Sequence, residues 1–161
     1  MKKWILGAAG FVLGAQLLTA APEWLTSVPD AEAKAQKEHK LVLLDFTGSD
    51  WCVWCKKLDE DIFSKPEFEQ YAATNLVLVE VDFPAGKPQP KELKEANAAL
   101  QSKYDVPGFP TLVALKPDGT QVWKKMGYLP GGPAALKEAL DEAVNAKPSP
   151  GTNLTTSATA N

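Results

Sequence analysis

The chain has 161 residues, a formal charge of −3 and two cysteines, with 45% hydrophobic residues. That length suits one domain with its own core and is too short for two. It contains no arginine, so the planar forks that usually read phosphates and guanine edges are missing, and nucleic acid is not an expected partner.

Residues 1–20 combine Lys2 and Lys3 with an apolar run from Trp4 to Ala15, then small residues at Thr19, Ala20 and Ala21. This is the layout of a secretory signal peptide, with cleavage expected after Ala20. Gln16, and a run shorter than the ~20 residues that span a bilayer, argue against a retained anchor. A membrane association is expected only if this segment stays uncleaved, and no cysteine follows it to carry a lipid. Removal of residues 1–20 takes Lys2 and Lys3 away and moves the formal charge from −3 to −5. The expected location is periplasmic or secreted, where disulfides form.

Ser27, with Asp30 three residues on, resembles a capping box and predicts a short amphipathic helix ending near His39. Leu41 to Thr47, LVLLDFT, is nearly all apolar and predicts a strand buried on both faces. After Gly48 to Asp50, the stretch from Trp51 to Phe63 carries Leu58 and Ile62 at helical spacing, which puts both cysteines on a first helical turn. PEFEQYAA continues as a second helical piece. Leu76 to Asp82, LVLVEVD, predicts another buried strand, and strand, helix, strand calls for a right-handed parallel crossover.

FPAGKPQP is a proline-rich loop and KELKEANAALQSKY a surface helix. TLVALK and QVWKKM form an antiparallel hairpin around Pro117, Asp118 and Gly119. PAALKEALDEAV, with Pro133 near its start, closes the domain as an amphipathic helix. From Ala146 onward the polar tail cannot bury enough apolar surface to order itself. The expected organisation is a signal peptide at 1–20, one α/β domain at 21–145 and a disordered tail at 146–161.

The chemistry concentrates in GSDWCVWCKKL, Gly48 to Leu58. Residues i and i+3 on a helix lie about one turn apart, with Cα atoms at a separation a disulfide accepts, so Cys52 and Cys55 can open and close without refolding. Cys52 at the helix start meets unpaired N–H groups that favour a thiolate, while Cys55 lies a turn deeper and shielded. Those positions predict Cys52 as the attacking sulfur and Cys55 as the resolving one, with Lys56 adding positive charge nearby.

Other readings of the pair are weaker. A structural disulfide closing so small a loop stabilises little. Half of a zinc site would have only His39 left as a further soft ligand, and His39 reads as a helix-end residue favoured by the dipole. A Cu(I) carrier would be expected with a methionine-rich segment. No metal and no organic cofactor is expected.

DFTGSDWCVWCKKL after a buried strand, with VPGFPTLVAL before a later one, resembles the thioredoxin superfamily. SDWCVWCKKLDEDIFSKPEF is most similar to its secreted thioredoxin-like domains, which include the C-terminal domain of the periplasmic thiol:disulfide interchange protein DsbD. The likeness runs from about Trp24 to Val144. It implies a thioredoxin fold, with a central mixed sheet built of a parallel βαβ unit and an antiparallel hairpin, flanked by helices.

The resemblance also implies that Pro110 follows a cis bond facing the cysteines, and that Phe109 before it offers backbone hydrogen bonds to a docked chain. Asp45 matches the family's buried strand acid, which takes a proton from Cys55. The alternative for Asp45 is a strand-end aspartate facing solvent or capping a helix. Trp51 and Trp54, with Gly108 and Phe109, are candidates for a patch that meets a partner's extended segment; for Trp51, packing at the helix start competes with that role. This chain departs from classical thioredoxin in Val53-Trp54 between the cysteines, in one extra residue between Asp45 and the motif, and in a longer segment from Phe83 to Tyr104.

These features predict an exported thiol:disulfide oxidoreductase acting on protein thiols and disulfides and recharged by a redox partner. It leans to reductase because the resemblance is to an electron-passing domain and Val53-Trp54 contains no histidine. The alternative is a thioredoxin-fold binding or chaperone module with a non-catalytic disulfide.

Overall fold

The computed structural model describes residues 22–145, and the signal-peptide and tail expectations lie outside that range. Five strands, β1 (Trp24–Leu25), β2 (Leu41–Thr47), β3 (Leu76–Asp82), β4 (Thr111–Leu115) and β5 (Gln121–Met126), form one sheet in the order β1-β3-β2-β4-β5. β2 pairs in parallel with β3, from Leu41 opposite Leu76 to Thr47 opposite Asp82, and antiparallel with β4. β4 and β5 make the antiparallel hairpin. The mixed α/β thioredoxin architecture expected from sequence is the one found.

β2 is central because its sequence tolerates burial on both faces. Side chains alternate across a sheet, so Val42, Leu44 and Phe46 join a core with Val28, Ala31 and Ala35 of α1 (Val28–Glu38). Leu43 points the other way, into a core with Leu58, Ile62, Phe68, Leu136 and Leu140. These five come from the helix after the cysteines, from α3 (Pro66–Asn75) and from α5 (Gly132–Asn145). A fully buried Leu or Phe contributes roughly 1.5–3 kcal/mol relative to exposure. Asp45, two residues after Leu43, inherits the second face and is carried beneath the cysteines by strand periodicity alone.

Two boundaries follow local chemistry. α1 begins where the Asp30 amide donates to Ser27 Oγ at 3.4 Å, and ends at His39, whose left-handed backbone (φ 55°) lets its amide donate to the Ala35 carbonyl. His39 is therefore a helix cap.

The helix after the cysteines differs from expectation. It starts at Val53 with Cys52 as its N-cap, runs as α2 (Val53–Leu58), and widens into a π-helical turn over Asp59–Phe63, where the Ser64 amide donates to the Asp59 carbonyl at 2.8 Å. The apolar spacing of Leu58 and Ile62 suits both windings. β1 was not expected either; two residues are too few to show an alternation. Among the described residues no helix is long and apolar enough to cross a membrane.

Candidate active site

Cys52 and Cys55 are joined as a disulfide, with Cα atoms 5.2 Å apart. The Cys55 amide also donates to Cys52 Sγ at 3.2 Å, so an otherwise unpaired helix-start N–H points at that sulfur. The expected difference in depth is corrected by the structure: Cys52 is 6% exposed and Cys55 5%. The asymmetry lies in direction. Cys55 lines a partly open cavity of about 310 Å³ and Cys52 does not. Cys52 instead lies among the exposed side chains of Trp51, Val53 and Trp54.

The cavity behind Cys55 is walled by Trp24 and Phe63, whose rings meet edge to face at 5.0 Å, and by Asp45, Glu80, Asp59, Lys56 and Thr47. Asp45 is 8% exposed and its Oδ1 finds no hydrogen-bond partner among the described residues. Burial raises its pKa from 3.8 to about 8, with repulsion from Glu80, Asp59 and Asp82 adding to the effect. Asp45 is thus neither facing solvent nor capping a helix. Glu80 is also raised, chiefly by burial and then by Asp82. Neither Glu80 nor Asp59 was singled out from sequence, because Glu80 approaches Asp45 through strand register and Asp59 through the packing of the helix turn after Cys55 against β2.

The tripeptide before Cys52 is fully engaged. The Ser49 amide and hydroxyl donate to the Asp82 carboxylate at 2.9 and 2.6 Å. The Asp50 carboxylate accepts the amides of Ala85, Gly86 and Lys87 at 3.0, 2.6 and 3.2 Å, which hold its pKa low. Trp51 Nε1 donates to the Phe83 carbonyl at 2.8 Å, and its ring lies so close over Gly48 that a Cβ there would meet it at 2.5 Å. Lys56 Nζ donates to the Asp50 carbonyl at 2.9 Å. Deeper in the segment that is long compared with thioredoxin, Gln89 and Asn97, the latter on α4 (Lys91–Lys103), both donate to the Asp82 carbonyl. The Phe83 to Tyr104 segment is therefore bound to the loop that presents Cys52.

Trp51 and Phe109 meet at 6.0 Å, and Phe109 stacks on Phe83 at 4.9 Å, giving an aromatic row on one side of the disulfide. Trp54, 57% exposed, leans on Tyr128 at 5.7 Å on the other side. The Tyr128 hydroxyl in turn donates to the Asp61 carboxylate, which also pairs with Lys57 at 2.7 Å. The Phe109–Pro110 bond is cis. The Pro110 carbonyl accepts the Gly127 amide at 2.8 Å, while the Phe109 backbone makes no hydrogen bond among the described residues. The cluster sets exposed Trp51 and Trp54 and half-buried Phe109 around the nearly buried Cys52 and Cys55, with Asp45 on the cavity behind Cys55 and buried Pro110 beside Phe109. His39 caps the far end of α1 and takes no part. Among the described residues no group of three or more His, Cys, Asp or Glu side chains is arranged to hold a metal ion.

A family model described as a thioredoxin-like domain matches residues 28–143. The chain is 41% identical over 118 residues to the disulfide bond reductase DsbH of Chlamydia pneumoniae, covering 73% of this chain and 70% of that protein. A solved structure described as a DsbH oxidoreductase aligns with a TM-score of 0.72 at 36% identity, covering 87% of this chain and 96% of the other. The thiol:disulfide interchange protein DsbD of Cronobacter sakazakii is 28% identical over 141 residues, covering 75% of this chain but only 23% of DsbD.

Proposed function

The chain belongs to the thioredoxin-like domain family, and from that premise we propose that it is an exported disulfide reductase acting on protein disulfides through Cys52 and Cys55. The observation that carries the reading is the Cys52–Cys55 bond at a helix start, with the buried carboxyl of Asp45 in the cavity behind Cys55.

The catalytic cycle starts from the dithiol. Cys52, as a thiolate favoured by the helix-start amides, attacks one sulfur of the partner's disulfide; that S–S bond breaks and the other partner sulfur leaves with the electron pair. The Cys55 thiol then gives its proton to Asp45 and attacks Cys52 Sγ. The Cys52–Cys55 bond forms and the second partner sulfur leaves as a thiolate, protonated from water. Two electrons have passed to the partner. A dithiol donor restores the pair by the reverse exchange. The open Phe109 backbone and the rings of Trp51, Trp54 and Phe109 supply hydrogen bonds and apolar contact for an extended segment beside Cys52.

Direction is tested by equilibrating the Cys52–Cys55 pair in graded glutathione buffers, with alkylation and mass as the readout. A reductase should lie near the thioredoxin value of about −270 mV, and a midpoint near the −120 mV of a strong oxidant overturns the assignment. Export predicts that protein recovered from the periplasm or medium begins at Ala21; recovery there of a chain that retains residues 1–20 contradicts cleavage.

One observation favours a second reading. Val53 and Trp54 expose large apolar surface beside the disulfide, as a module that holds unfolded chains would. Suppression of aggregation by a variant lacking both cysteines would support that role.

A further inference from the structure

We propose that Glu80 is a positioning residue for the proton step: Asp45 and Glu80 form one carboxylate pair that carries a single proton while the cysteines are joined, so Glu80 sets the pH at which Asp45 can receive the Cys55 proton. The inference rests on the reading of Asp45 as proton acceptor and adds a second residue to it.

Register supplies the geometry. Asp45 of β2 and Glu80 of β3 are paired positions in a parallel ladder, where strands lie about 4.8 Å apart and paired side chains share a face. Both side chains line the cavity that Cys55 enters. Asp45 Oδ1 is buried without a partner, so it has an unmet need for a proton or a donor. Two carboxylates this close, one of them buried, do not both ionise freely.

Of the surrounding charges only Lys87 offsets the repulsion, and it acts on Glu80, not on Asp45. Asp82 on β3 and Asp59 on the π-helical turn add negative charge. Lys56 on α2 lines the cavity with its ammonium on the Asp50 carbonyl, and Lys87 in the following loop bonds Ser49 Oγ. β4 places apolar Leu112 opposite Asp45. Burial and Glu80 together hold Asp45 near 8. Glu80 is the less buried of the two, which gives the proton a way out to water.

In the resolving step the Cys55 proton becomes the pair's single proton as the Cys52–Cys55 bond forms and the partner sulfur departs with its electrons. In the next cycle the proton returns to Cys55 or leaves to solvent.

The test is a carbon NMR titration of the side-chain carboxyls in the oxidised protein, which needs neither a partner nor turnover. In wild type Asp45 should titrate near 8, and Glu80 should respond in that same interval. In Glu80→Gln the Asp45 midpoint should fall by roughly one pH unit, whereas Glu80→Asp should keep most of the elevation. The pH profile of mixed-disulfide resolution should move in parallel. An Asp45 midpoint unchanged in folded Glu80→Gln overturns the pair. So does a wild-type Glu80 that titrates in one step in the ordinary carboxylate range, a result available even if the variant does not fold. If the NMR midpoint moves while the resolution profile does not, the pair stands and the acceptor role of Asp45 fails.

Discussion

Cys52→Ser is expected to reduce turnover of a disulfide-bonded model protein, with a dithiol donor, by about three orders of magnitude or more, to the uncatalysed background. Cys55→Ser is expected to stop at the mixed disulfide instead. The difference follows from where the two sulfurs point. Cys52 caps the helix start, receives the Cys55 amide and lies among exposed Trp51, Val53 and Trp54, so a partner disulfide meets it first. Cys55 lines the cavity that also holds Asp45, and its sulfur is bonded to Cys52. Without Cys55 the partner stays covalently bound, visible as a band on non-reducing gels and as an added mass that dithiol removes. Neither result can be blamed on unfolding, because a loop this short contributes about 2 kcal/mol or less, while two cores on opposite faces of the sheet are untouched. A Cys52→Ser protein that still turns over sinks the mechanism. Loss of activity in both variants with no trapped partner assigns the disulfide a structural role.

The strands that carry the site were legible because burial on both faces leaves a direct mark: LVLLDFT and LVLVEVD are nearly unbroken apolar runs, and their bounds coincide with β2 and β3. The hairpin was legible from its turn residues, and the CxxC pair from spacing. What stayed hidden depends on alignment between segments. That Asp45 faces Glu80 follows from Leu41 lying opposite Leu76, and no residue in either strand announces that register. Glu80 alone reads as the one polar break in a buried strand. Asp59 comes near the same acid because it lies one α-turn after Cys55, its amide donating to the Cys55 carbonyl, and only the fold shows that β2 brings Asp45 to that helix face. Ser49 and Asp50 read as ordinary loop residues, since their partners, Asp82 and the amides of Ala85 to Lys87, lie more than thirty residues away. The aromatic residues at the surface were visible as types, but their ordering into a Trp51, Phe109 and Phe83 row required the fold.

Asp45→Asn is expected to slow mixed-disulfide resolution and, at the same time, to stabilise the oxidised protein increasingly as pH rises. An acid whose folded pKa lies above its unfolded value binds its proton more tightly in the native state, so its contribution to stability falls as pH climbs between the two values. For Asp45 that window runs from 3.8 to about 8. Below it, both states are protonated and the side chain costs nothing through ionisation. Above it, the native state must bury a carboxylate among Glu80, Asp59 and Asp82. At about 1.4 kcal/mol per pKa unit the cost approaches 6 kcal/mol, an upper limit that relaxation and water entry reduce to a few. Urea denaturation of the oxidised protein at pH 5, 7 and 9 should therefore show wild type losing stability across the series while Asp45→Asn stays closer to level. The amide leaves buried donors in need of partners, so the slope with pH, not the absolute stability, carries the result. Parallel wild-type and variant curves would mean that Asp45 ionises as readily folded as unfolded, and such a group would already be charged at neutral pH and too weak a base to draw the proton from Cys55. Diverging curves with unchanged resolution would leave a buried acid that burdens the fold without serving the exchange.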